Sequence, residues 1–186
     1  FHKRGVAKAT NKKNNTPVQP AGLGAESPVI ASDDDPRQAL VDWMSAKDNP
    51  FFAHTFVNRY WKHFFGRGLV DPEDDMRETN PAVNPELLQA LAEKFIESGF
   101  DMKGIVRDLC RSKTYQFSSI PNRYNAKDKH NFSRHYPQRL QAEVLLDSID
   151  DLTEVRTGFS GLPAGTRATM LPDNSFNQKS YFLSVF

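Results

Sequence analysis

VNRYWKHFFGRGLV, residues 57–70, is the stretch whose reading decides the fold. Extended back to residue 51, it places Phe52, Phe56, Val57, Tyr60, Trp61, Phe64 and Phe65 at helical spacing, a broad apolar face. Gly66 and Gly68 then supply a stop, because glycine reaches the left-handed backbone region without a Cβ clash. The spacing predicts a packed helix over residues 51–65. Its polar insertions, Asn58, Arg59, Lys62 and His63, raise the question of a site. Buried polar groups need partners, so Asn58 and Arg59 are expected to face a polar loop.

The same grammar extends in both directions. Asp35-Pro36 and Asn84-Pro85 are cap-and-proline helix starts. Leu40, Trp43 and Met44 mark the helix that ends before Asn49-Pro50, and Leu87, Leu88, Leu91, Phe95 and Ile96 mark the one closed by Gly99. A fourth starts at Asp101, with Ile105, Val106 and Leu109, and fades by Thr114. A fifth begins near Pro137, with Leu140, Val144, Leu145, Ile149 and Leu152 on one face. SYFLSVF, residues 180–186, reads as a short strand or the first turn of a sixth helix. The fold class is therefore mainly α, an irregular helical domain of five or six helices with long ordered polar loops and little or no sheet. Residues 1–34 read as an extended basic arm or linker, and residues 35–186 as a single α-helical domain.

A chain of 186 residues with 14 Phe and 2 Trp can bury a sizeable core. Its net charge of +1 creates no global field toward nucleic acid or a membrane, and it contains no membrane-spanning apolar run. Cys110 is the single cysteine, which excludes an internal disulfide, a cysteine-rich zinc site and a CxxCH haem attachment. It falls on an apolar helix side and reads as a small core residue. No cofactor is assigned to this chain.

Three groups carry candidate chemistry. On the central helix, His54 and His63 are nine positions apart and point to opposite sides, so they cannot share a metal while the helix is regular. The next segment, DPEDDMRE at 71–78, sets five acids against Arg77. Three readings stand for it: ion pairs to Arg59 and Arg67 that pin the loop to the helix, a hard-cation site, or general acid–base work by two carboxylates. Its spacing lacks the order of a calcium loop, and no metal ligands are assigned. Asp74, Asp75 and His63 are the catalytic candidates. In TYQFSSIPNRYNAKDKHNFSRHYPQRL, 114–140, the bases Arg123, Lys127, Lys129 and Arg134 interleave with Tyr115, Tyr124, Phe132 and Tyr136. That pattern reads as an ordered loop held by local Asn and Ser turns or as a ligand surface. Asn58, Arg59, Trp61, Arg67, Arg77, Tyr115 and Arg134 are the ligand-binding candidates.

The motifs VNR-x-W-x-HFFGRGLV, P-x-DD-x-R, NP-x-x-NPELL, S-x-TYQ-x-SS and R-x-x-P-x-RL-x-AE occur in that order. With them the chain resembles the C-terminal domain of unknown function of planctomycete-type multidomain proteins. The resemblance implies a large exported parent, extracytoplasmic, with haem c carried on another domain, and a family segment continuing past Phe186. It implies other domains of the parent chain as partners, and a contextual association with polysaccharide. It supplies no reaction. Two functions follow as expectations. One is an interaction or scaffold module in which Arg59, Arg67, Asp74, Asp75 and Arg77 form a structural ion network. The other is a glycan binder or glycan-active enzyme, with a cleft between the 71–78 acidic loop and the 115–136 loop, where Trp61 or Tyr115 would stack on a sugar.

Overall fold

The computed structural model describes residues 9–31, 33–173, 175 and 180–185. The architecture is mainly α. The chain divides into two compact units, Phe1–Tyr136 and Pro137–Phe186. No described helix is long and apolar enough to cross a membrane.

The first unit opens with a two-stranded antiparallel ribbon, β1 (Ala9–Thr10) and β2 (Pro17–Val18), within the arm expected to be irregular. Its turn is built by asparagines: Asn11 Oδ1 accepts from Lys13 N, and Asn14 Oδ1 from Thr16 N. α1 (Pro36–Ser45) begins where Asp35 accepts from Arg37 N at 3.0 Å, with Pro36 in the first turn. No residue of α1 is buried. Asn49, itself buried, stitches α1 to the next helix: its amide donates to Trp43 O, and its Oδ1 accepts from Phe51 N and Phe52 N. This supplies the N-terminal cap that Phe51 cannot.

α2 (Phe52–Phe65) ends at Gly66, which adopts φ 78° and donates to Lys62 O at 2.7 Å. Ala53, Val57, Trp61 and Phe65 recur every four residues and are all buried. They face Leu88, Ala92 and Phe95 of α3 (Pro85–Glu97) and Ile105 and Leu109 of α4 (Met102–Arg111). The rings interlock: Phe56 stacks on Phe95 at 4.3 Å, and Trp61 on Phe65 at 4.1 Å. Asn84 and Asp101 cap α3 and α4, accepting from Leu87 N and Gly104 N. Phe132 reaches in from the long loop and completes this core edge-on to Trp61.

The second unit consists of α5 (Ala142–Thr153), a 3-10 turn (Ala168–Met170) and α6 (Tyr181–Val185) around Leu146, Ala168 and Leu183. The C-terminal apolar stretch is thus helical. α5 starts later than Pro137 and buries a different face from the expected one. Val144, Ile149 and Leu152 are exposed, while Leu146, Asp147 and Asp150 are buried. The physical reason is that α5 turns its carboxylates inward to cap the following loop. Asp147 accepts from Ala168 N at 2.7 Å, Thr169 N at 3.1 Å and Thr169 Oγ1 at 2.6 Å. Asp150 accepts from Thr157 N and Oγ1.

Candidate functional site

The centre of the site is Asn58, fully buried on α2. Its Oδ1 accepts from Val70 N at 3.0 Å, and its amide donates to Val70 O at 2.9 Å and Glu73 O at 3.0 Å. One side chain thereby replaces a strand partner for the chain leaving the helix. This requires close approach, and Gly68 permits it. A Cβ there would lie 2.2 Å from Val70 O and 3.0 Å from the Asn58 amide. The two glycines of the Gly-Arg-Gly stop therefore have different roles. Gly66 turns the chain, and Gly68 lets it fold back over Asn58.

Ion pairs flank this buried bond set. Arg59 grips Asp74 with two bonds, Nε–Oδ1 at 2.8 Å and Nη2–Oδ2 at 2.6 Å. Lys62 meets Glu73 at 2.5 Å, and Arg67 meets Asp71 at 3.3 Å. Arg77 holds Asp75 through Nε and Nη2, both at 2.6 Å. The hydrogen bond from Lys62 pulls the Glu73 carboxyl below its ordinary range, and the bond from Arg77 does the same to Asp75. Reciprocally, Asp75 raises the Arg77 guanidinium. Glu73 and Asp75 are thereby favoured as ionised hydrogen-bond acceptors.

The 115–136 loop joins the same end of α2. Arg67 Nη1 donates to Lys129 O at 3.3 Å and lies against His130 Nδ1. The loop is organised by Asp128, which accepts from His130 N, Asn131 N, Asn131 Nδ2 and Ser133 N at 3.0–3.3 Å, and from Ser133 Oγ. The Ser133 hydroxyl first, and then the backbone N–H groups, drive its carboxyl far below the ordinary carboxylate range. Tyr136 donates its hydroxyl to Asp128 O.

The sequence-derived candidates therefore divide. Asn58, Arg59 and Asp74 come together, and Arg67 bridges Asp71 to the long loop. Asp74 and Asp75 do not converge, since each is gripped by a different arginine. His63 is exposed, its ring edge-on to Phe64 at 5.0 Å. Trp61 is buried with one ring face on Phe65, and Tyr115 packs edge-on to Phe64 and Phe65, both at 6.0 Å. Both rings thus contribute to the core. The indole N–H of Trp61 has no acceptor among the described residues. Its edge-on contact with Phe132 is an arrangement compatible with a weak N–H to ring interaction. Arg134 lies over the Tyr136 ring at 4.3 Å.

Sequence reasoning missed Lys62 as the partner of Glu73, and it missed the organising role of Asp128. The signal for Asp128 is an Asp followed at short spacing by Asn131 and Ser133, a composition that makes Asx-type turns. Among the described residues, no group of three or more His, Cys, Asp or Glu could hold a metal ion.

A family model described as a protein of unknown function (DUF1553), abbreviated PSD1, matches residues 36–163, more than half of the chain and every candidate residue above. No curated protein and no solved structure matches.

Proposed function

Because the chain belongs to the DUF1553 family, whose description assigns no reaction, we propose a function from its own side chains: it is a helical interaction module of a larger exported protein. The observation that carries this reading is the two-bond grip of Arg59 on Asp74 and of Arg77 on Asp75. Asp75, whose carboxyl the Arg77 fork holds below its ordinary range, is a poor general acid, and a general base whose two oxygens are both bonded to a guanidinium must release that cation to take a proton. Of the residues that looked catalytic in sequence, Asp74 is tied to α2 by Arg59 and Asp75 is tied within its own loop by Arg77, beside the buried Asn58 bonds that anchor the segment. The Asn58 bonds, with these ion pairs at the rim, hold the 67–83 segment as an ordered surface, which suits recognition by keeping the ordering cost of binding low. The exported setting, and partners within the parent chain, rest on the resemblance of the motifs.

The test is calorimetric titration of this chain with the separately expressed remainder of its parent. A saturable complex is expected. Mixing without heat, or turnover of a defined substrate that is abolished by Asp75→Asn with folding intact, would overturn the reading.

One feature favours a second reading, a glycan site. A cavity of about 230 Å³ opens among Trp61, Leu69, Asn84, Thr114, Asn131 and Phe132. Amides and a hydroxyl beside apolar walls suit a neutral polyol, although the stacked face of Trp61 is already covered by Phe65. A saturable upward thermal shift with a neutral oligosaccharide, removed by Asn131→Ala, would favour this alternative.

A further inference from the structure

The acids of the 71–78 loop are matched by bases except at one position. Asp71, Glu73, Asp74 and Asp75 meet Arg67, Lys62, Arg59 and Arg77. Glu78 is exposed, and no base among the described residues pairs with it. It stands on the wall of a cavity of about 450 Å³, open to solvent, among the start of α2, the 76–82 segment and the first turns of α3. That volume falls within the range of small-ligand sites, roughly 300–1,000 Å³. Phe51, Val70, Met76, Ala82 and Leu88 make its apolar part. Arg77 also lines it, but its charge is compensated by the fork to Asp75. The unpaired carboxylate of Glu78 is therefore the charge that this recess offers to a partner.

The walls are held before anything binds. His54 bridges Pro50 O and Gln89 Oε1, each at 2.8 Å, and the Gln89 amide donates to Glu93 Oε1 at 2.8 Å. These bonds tie the start of α2 to α3. Val70 is fixed by Asn58, and Asn80 donates its amide to Asp75 O at 3.0 Å and its backbone N–H to Arg77 O at 2.9 Å. Pro50, Pro81 and Pro85 complete the lining with φ locked by their rings. A recess braced in this way loses little conformational entropy when it is filled. Half-buried Met76 is its adaptable part.

We infer that this recess takes an apolar side chain of a partner peptide whose neighbouring residue is a lysine or an arginine. The apolar side chain leaves water for the surfaces of Phe51 and Met76, and the adjacent base meets Glu78. An exposed ion pair adds little affinity, so Glu78 selects the partner more than it holds it. The inference rests on the interaction reading above, in which the 67–83 segment is the recognition surface, and it names the place on that surface and the chemistry that fits it.

The test is a nitrogen-15 HSQC titration of this chain with three capped tetrapeptides whose central pairs are leucine–lysine, leucine–glutamate and serine–lysine. Saturable shifts of the Met76, Glu78, Ala82 and Gln89 amides are expected with leucine–lysine, and several-fold weaker binding of the other two. Glu78→Lys should weaken the leucine–lysine peptide about three- to tenfold. Ala82→Leu puts a larger side chain into the recess and should remove the saturable shifts, while Glu97→Lys, on the exposed far end of α3, should leave them unchanged. Equal shifts with all three peptides, absence of saturation, or unchanged affinity in Glu78→Lys would overturn the recess; that variant alters an exposed side chain, so it decides even where Ala82→Leu does not fold. Calorimetry with the remainder of the parent separates the two readings. Heat that persists undiminished in Glu78→Lys and Ala82→Leu keeps the interaction reading and overturns the recess, whereas peptide binding without that heat keeps the recess and overturns a partner within the parent chain.

Discussion

Replacing Asn58 by alanine should destabilise the first unit more than removing any of its surface charges. The substitution leaves Val70 N and Val70 O without their partner in a buried site, and Glu73 O without its partner in a part-buried one. Each unsatisfied buried group costs about 1–3 kcal/mol. Water entering the vacated space relieves part of this, so the net loss should be about 3–5 kcal/mol. That is a large share of the roughly 5–15 kcal/mol available to a domain, and for a chain of this size it lowers Tm by about 10 °C. Arg59→Ala is the control. The Arg59 and Asp74 side chains are 58% and 56% exposed, and a pair so placed contributes at most about 1 kcal/mol. The ion network expected from sequence to carry the fold is therefore its minor part. Urea unfolding, followed by the fluorescence of buried Trp61, measures both variants. A loss for Asn58→Ala no larger than that for Arg59→Ala would refute the reasoning, because the buried amide would then not be the anchor of the loop.

Three further outcomes follow from the same geometry. Gly68→Ala should cost about 2–4 kcal/mol, since the added methyl meets the Val70 carbonyl, which is itself bonded to Asn58; a melting temperature equal to that of the parent chain would show that the backbone yields there. Glu73, Asp75 and Asp128 all have carboxyls lowered by hydrogen bonds in the folded state. Their stabilisation is thus fully present above the unfolded carboxylate range, about pH 4–5, and is lost as pH falls through and below it. Urea midpoints compared at about pH 6 and about pH 3 should fall on acidification, and a midpoint that holds or rises would contradict the assignment. In the second unit, burial pushes the Asp147 carboxyl up, but the Thr169 side chain, the backbone N–H groups and Arg167 outweigh it and lower it. Asp147→Asn leaves one acceptor oxygen and sets an NH2 donor against either the Ala168 or the Thr169 N–H group, so at least one of those two amides should lose protection in hydrogen exchange by about ten- to a hundredfold, and unchanged protection of both would contradict the role of Asp147.

Much of the helical frame was legible in the sequence because caps and stops are local chemistry. Asp35-Pro36, Asn84-Pro85, Asp101 and Gly66 act within a turn of where they stand, and each marks an observed boundary. The apolar face of α2 was equally local, being set by periodicity alone. Three things depended on segments distant in sequence and were decided by tertiary structure. The face of α5 was one: its apolar stripe suggests burial of Ile149 and Leu152, yet Asp147 turns inward because the Ala168 and Thr169 N–H groups and the Thr169 hydroxyl offer it three donors. The partners of Glu73 and Asp74 in the acidic loop were another, since charge counting cannot choose Lys62 and Arg59 on α2 over the nearby Arg67 and Arg77. The third was the role of Asn58, whose amide becomes the anchor of the fold-back only because Gly68 lets Val70 approach it. The sequence by itself determined where helices start, stop and present rings, because those preferences are properties of neighbouring residues. Which polar groups are buried and what they bond, and so which residues form a site, was decided only when the loops closed.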